Sequence, residues 1–208
     1  HKYRATGTMM ITSAGAAHTT VFANGYANKA KKIKNTTNGS VIYPLASLQK
    51  AMTGAIIEQL IAKGKLSVNT RLSRFFPGVR GSHYITIRQM LSMTSGIINS
   101  DYTPSKKLSE KQAFANIQKR ARYTGRNSFQ YSDANYVLLA GIISKVTHKS
   151  YASNLKSRIF NKLGLKHTYI AGEKTGNEII PKSYKFIDGN WKPRTLSIAR
   201  QTGIPGAG

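Results

Sequence analysis

The feature that most limits this chain is its longest apolar stretch, residues 136–143. It is far short of the ~20 residues that a helix needs to span a bilayer, so a membrane span is excluded. The wider apolar block, 134–146, is long enough for a helix that is covered on nearly every side. Such a helix requires other elements to pack around it, so the rest of the chain must supply a core.

It has the means to do so. The chain has 208 residues, 40% of them hydrophobic, which suits one domain with a substantial interior. Its 11 tyrosines, 7 phenylalanines and many aliphatic residues exclude wholesale disorder. Residues 7–11 and 19–22 are short runs of β formers, with a turn expected at Ala14-Gly15. Residues 46–64 read as a helix, with Leu48, Met52, Ala55, Ile56 and Ile61 at helical spacing and Gly64 as its stop. Shorter helices are expected at 87–93, 110–122 and 151–163, and strands and loops from Tyr169 onward. No repeat of solenoid period is present. Strands, then helices, then strands make an α+β chain with a helical insert in a sheet. The expected parts are an α/β segment at 1–65, a mostly helical one at 66–168, and a return toward the sheet at 169–208.

Thirty-two Lys+Arg against seven Asp+Glu give a formal net charge of +25. Such a chain is drawn to polyanions: nucleic acid, anionic lipid or anionic cell-wall polymer. The basic residues are spread over 29–34, 106–107, 119–126 and 156–166 without a nucleic-acid-binding motif, so nucleic acid is ranked last. The 29–34 cluster reads as a solvated loop or edge strand. There is no cysteine, which removes thiol catalysis, disulfides and cysteine-held metals. The histidines at 1, 18, 83, 148 and 167 lack ligand spacing, and no P-loop or G-x-G-x-x-G is present, so no metal or cofactor is expected. No signal peptide is read at the start, and His1 in place of Met suggests a processed form.

The chemistry-bearing pattern is Ser47-Leu48-Gln49-Lys50. A serine in the first turn of a buried helix lies near the positive end of the helix dipole, and a lysine three residues on shares its face. Burial can lower a lysine's pKa until the neutral amine accepts the serine proton. The Ser47 N–H is then available to an oxyanion. S-x-x-K alone is weak. A second copy, Ser153-Asn154-Leu155-Lys156, lies off the Tyr151/Leu155/Ile159 stripe and reads as a solvated face. Lys174-Thr175-Gly176 lies in a polar stretch and reads as a loop. Tyr131-Ser132-Asp133 directly precedes the apolar block, where a tyrosine could exchange a proton with the serine or the leaving group.

Taken with their neighbours, these residues resemble the serine β-lactam-recognising hydrolases, in the branch of class C β-lactamases and D-alanyl-D-alanine peptidases. Gly25-Tyr26-Ala27-Asn28 resembles the family's G-Y-A-[DN], and Ala46-Ser47-Leu48-Gln49-Lys50 its S-x-x-K helix. Gly64-Lys65-Leu66-Ser67-Val68 resembles G-K-L-x-L, and Leu91-Ser92-Met93-Thr94-Ser95-Gly96 resembles L-L-x-H-T-S-G. Residues 129–136 resemble F-x-Y-S-N-x-x-Y, and Leu163-Gly164-Leu165-Lys166-His167-Thr168 resembles L-G-M-x-x-T.

The resemblance implies an antiparallel sheet flanked by helices with an all-helical insert. It makes Ser47, Lys50 and Tyr131 catalytic, with the Ser47 N–H as one oxyanion donor. The family's third motif, the second oxyanion donor and part of the sheet would lie beyond Gly208. Where the family has Y-x-N, this chain has Tyr131-x-Asp133. The variant and the basicity resemble members that act as D-amino esterases on teichoic acids. An Asp suits the ammonium of a D-alanyl ester better than an amide, so Asp133 either receives that ammonium or pairs with Lys50.

The expected activity is that of a cell-envelope acyl hydrolase removing D-alanine from teichoic acid and acylated by β-lactams. Its partners would be anionic wall polymer and D-alanyl substrates, with the protein peripheral at the membrane surface. The alternatives are a D,D-carboxypeptidase or β-lactamase, and a catalytically silent binder of wall polymer.

Overall fold

The computed structural model describes residues 6–12, 15, 18–99, 107–194 and 204–208. Ala14 of the expected turn and Lys106 of the basic residues at 106–107 lie outside them. The strands are β1 (Gly7–Ile11), β2 (Thr20–Asn24), β3 (Tyr26–Asn28), β4 (Ile33–Lys34), β5 (Ile97–Ile98), β6 (Arg122–Tyr123), β7 (Tyr184–Ile187) and β8 (Asn190–Pro193). The α-helices are α1 (Gln49–Ala62), α2 (Ile87–Leu91), α3 (Glu110–Arg120), α4 (Asp133–Thr147) and α5 (Tyr151–Leu155). The chain is α+β, as its pattern requires, and divides into two compact units at Leu45 and Glu173.

The first unit, His1–Pro44 with Glu173–Leu196, is built from antiparallel pairs. β1 pairs with β2, Met9 facing Phe22. β7 pairs with β8 through a two-residue turn, Asp188-Gly189, both at positive φ. Asp-Gly is the sequence such a tight hairpin demands. Phe186 and Trp191 meet edge to face across this pair, 5.3 Å apart. Val41 bridges Ile179 in parallel, and the Lys182 N–H donates to the Ala27 carbonyl at 2.8 Å. Lys29, Lys31 and Lys32 are exposed in the β3–β4 turn, the solvated position that the sequence suggests.

The second unit, Leu45–Gly172 with Ser197–Gly208, holds the helices. α4 is its axis: from Ala134 to Ile143 every residue but Tyr136 is buried. Gly141 lets Phe76 approach this helix; a Cβ there would lie 2.5 Å from the Phe76 ring. α1 contributes Ile56, Ile57 and Leu60 to the same core, α2 contributes Ile87 and Met90, and α5 contributes Tyr151 and Leu155. This shared apolar surface groups α1 with the helices.

Local chemistry sets the ends. Gly64 terminates α1 at φ +64, with its N–H on the Ile61 carbonyl and that of Lys65 on the Leu60 carbonyl, a Schellman closure. α2 and α3 open with reciprocal capping boxes, Thr86 with Gln89 and Ser109 with Gln112. α3 stops at Arg120 rather than 122, because Arg122 and Tyr123 are recruited by β5. The helix expected over 151–163 is α5 followed by a π-helical turn, Lys156–Phe160, and Leu163 projects into solvent. No helix of the described residues is long and apolar enough to cross a membrane.

Candidate active site

Ser47 lies in a 3-10 turn, Ala46–Leu48, that feeds directly into α1. Ala46 enters this turn at φ +46, a left-handed conformation costing an L-residue roughly 1–2 kcal/mol. Lys50, the second residue of α1, is only 7% exposed. The three-residue separation brings its Nζ to 3.0 Å from Ser47 Oγ. The Ser47 N–H has no acceptor among the described residues.

Tyr131 and Asp133 arrive from the entrance to α4. The Tyr131 hydroxyl donates to Ser47 Oγ at 2.8 Å, and Asp133 Oδ1 lies 2.7 Å from Lys50 Nζ. Backbone anchors on either side fix the tyrosine. The Gln130 N–H donates to the Met93 carbonyl at 2.9 Å. Asn99 Oδ1 accepts from Ser132 Oγ at 3.0 Å and from the Ala134 N–H at 2.9 Å, capping α4. Ser95 supports the next turn, its Oγ donating to Asn135 Oδ1 at 2.5 Å.

The third partner of Lys50 is a main-chain group, the Ala207 carbonyl at 2.6 Å. Its neighbour Gly206 is held by Thr53, whose Oγ1 donates to the Gly206 carbonyl at 2.9 Å. Thr53 in turn faces the Tyr151 hydroxyl at 2.7 Å, which Gln49 Nε2 approaches at 3.3 Å. One consistent direction runs through all four groups: Gln49 donates to Tyr151, Tyr151 to Thr53, and Thr53 to Gly206. Gly206 sits at φ +83 with no room for a side chain, since a Cβ would lie 2.2 Å from the Tyr136 carbonyl. Burial pushes the Tyr151 and Tyr136 hydroxyls above the usual tyrosine range; the Lys50 charge partly offsets this at Tyr136.

The structure therefore brings Ser47, Lys50, Tyr131 and Asp133 into one cluster. Sequence reasoning missed Asn99, Thr53, Tyr151 and the Ala207 carbonyl. Only Thr53 carried a local signal, standing three residues beyond Lys50 on the same face of α1. The second S-x-x-K does not repeat the arrangement: the Ser153 N–H is engaged by Ser150 Oγ at 3.0 Å, and its carbonyl accepts from Ser157 Oγ at 2.8 Å. Lys174-Thr175-Gly176 lies in irregular chain.

Comparison with known proteins places this geometry. The sequence matches the beta-lactamase family over residues 4–196. The chain belongs to the beta-lactamase family. Among curated members, teichoic acid D-alanine hydrolase from Staphylococcus aureus (strain MRSA252) is 33% identical over 164 residues, covering 78% of this chain and 40% of the relative. The chain thus spans about 40% of the length of the curated relatives it matches. The crystal structure of FmtA from Staphylococcus aureus superposes with a TM-score of 0.76 at 27% identity, over 89% of this chain and 53% of that one. D-amino acid amidase from Ochrobactrum anthropi SV3 shares the fold at a TM-score of 0.76 and 23% identity, over 96% of this chain and 58% of that one. The beta-lactamase fold is thus common to all three.

Proposed function

We propose that the protein is a serine acyl hydrolase acting on D-alanyl groups, and that its substrate is the D-alanyl ester of teichoic acid in the cell envelope. The observation that carries this reading is the buried Lys50 ammonium, shared between Ser47 Oγ and a carboxylate, Asp133, with Tyr131 on the same oxygen. Support for the substrate comes from the relative named as a teichoic acid D-alanine hydrolase. The net charge of +25 also suits a polyphosphate carrier.

Ser47 Oγ attacks the D-alanyl carbonyl as its proton passes to the Tyr131 oxygen, which reacts as a phenolate held beside the Lys50 ammonium. Lys50 donates to Ser47 Oγ and to the Ala207 carbonyl and pairs with the Asp133 carboxylate at 2.7 Å. It polarises Ser47 and lies 5.0 Å from the Tyr131 ring centre, where it favours charge developing on the phenol oxygen. Tyr131 hands the proton to the departing alcohol as the ester C–O bond breaks and the Ser47 acyl bond remains. Water, losing its proton to the Tyr131 oxygen, then attacks the acyl carbonyl, and Tyr131 returns that proton to Ser47 Oγ as D-alanine leaves. The Ser47 N–H stabilises the oxyanion in both halves.

Asp133 holds Lys50, and its side chain, 37% exposed, keeps a face toward solvent for the substrate ammonium. β-lactams acylate the same serine, because their carbonyl takes the place of the ester.

D-alanine release from purified D-alanylated teichoic acid, measured for the protein and for Ser47→Ala, tests the proposal. Release should vanish in the variant. Equal release by both would remove Ser47 from the chemistry, and none from either would leave a silent binder of the polymer.

A further inference from the structure

The helical unit carries a concave feature at the far end of α1 from Ser47. It is a groove of about 910 Å³ between the C-terminal ends of α1 and α4 and the π-helical turn after α5. Leu60, Val146 and Ile159 form its apolar floor. Lys63, Lys65, Lys149, Arg158 and Lys162 line it, and no carboxylate does. The four lysines are exposed and make no ion pair among the described residues.

Two of these lysines have an ordinary explanation. Lys63 and Lys149 stand at the ends of α1 and α4, where cations complement the helix dipole. Each helix end supplies only about half a negative charge, so two ends offset roughly one of the cations. The groove stays strongly positive. Its arginine is also fixed in place. Arg158 Nε donates to Asn154 Oδ1 at 2.9 Å, and Asn154, 1% exposed, is itself held by Thr147 Oγ1 and the Ser150 carbonyl. Arg158 therefore presents its terminal N–H groups without first having to be ordered.

We propose that this groove binds a linear phosphodiester polymer along its backbone, separately from the acyl chemistry at Ser47. Repeated single negative charges, spaced along a flexible chain, match lysines spread over an open trough better than they match a closed pocket. The fixed guanidinium supplies a forked contact to one phosphate. The fourteen residues of α1 span about 21 Å, so a bound polymer would hold further units within reach of Ser47. The identity of the polymer rests on the esterase reading above; the binding itself does not.

The test uses the Ser47→Ala chain, which binds without hydrolysing, and poly(glycerol phosphate) free of D-alanine. Lys63→Glu, Lys65→Glu, Lys149→Glu and Lys162→Glu are combined, with a control reversing Lys29, Lys31, Lys32 and Lys34. The groove variant should bind at least tenfold more weakly, and its plot of log affinity against log salt should flatten by about 2 to 3. The control should lose less than threefold. Equal losses in both would mean diffuse attraction and overturn the groove. Groove-dependent binding to phosphatidylglycerol vesicles, with none to the polymer, would overturn it in favour of a membrane surface. Two double variants, 63/65 and 149/162, replace the quadruple one if it fails to fold. Loss of Ser47-dependent hydrolysis would leave this comparison unaffected.

Discussion

Lys50 donates to two oxygens and pairs with a carboxylate, and this shapes what substitution around it does. Asp133→Asn keeps an oxygen that can accept from Lys50 but removes the negative charge. A D-alanyl ester brings its own ammonium to the site, whereas a penicillin brings a neutral amide. Ester turnover should therefore fall about tenfold, a modest figure because Asp133 is partly hydrated, while the rate of acylation by penicillin falls much less. Steady-state turnover and single-turnover labelling of the same variant measure the two. A common factor in both would restrict Asp133 to positioning Lys50.

At the level of elements, α1 and the segment around Gly206 act together. The chain Gln49–Tyr151–Thr53–Gly206 ties α1 and α5 to the carbonyl that follows, and that carbonyl holds Lys50. Gly206→Ala would place a methyl against the Tyr136 carbonyl at a backbone angle that L-residues resist. The segment must lift away, costing about 2 kcal/mol of stability, and Lys50 loses one acceptor. Acylation by a fluorescent penicillin should drop with it. Gly125, at φ +73 with open space around it, is the control: the same change there should lower stability by about 1 kcal/mol and leave labelling intact.

The whole molecule's stability should depend on alkaline pH through Tyr151. Burial raises its pKa in the folded state, while the unfolded chain releases this proton near pH ~10. Above that pH the folded state binds more protons than the unfolded one, so stability is complete below ~10 and falls as pH rises toward the folded value. Tyr151→Phe removes this share of the slope, at the cost of about 1 kcal/mol at neutral pH from the lost hydrogen bonds to Thr53 and Gln49. Urea midpoints for both proteins across alkaline pH should converge as pH rises; parallel lines would refute the assignment.

Much of the architecture was legible because it is local. The apolar block at 134–146 could only be a covered helix, and α4 is that helix, extended by one residue at each end. Gly64 marked the end of α1, and Ser47 and Lys50 were neighbours by helical spacing alone. What the spacing could not carry was anything requiring a partner distant in the chain. The helix expected over 110–122 lost its last turn to a strand partner at Ile97–Ile98, and that over 151–163 changed period after Leu155. Tyr131 reaches Ser47 across 84 residues and Ala207 reaches Lys50 across 157. The first was expected from motif resemblance, the second not at all, because a carbonyl is common to every residue and leaves no trace in composition. The sequence by itself determined the long helices, the stop at Gly64 and the charge; the tertiary structure decided where α3 and α5 end, which oxygens surround Lys50 and which lysines share a groove. Periodicity and capping are properties of adjacent residues, whereas convergence on one ammonium requires packing that brings separate segments together.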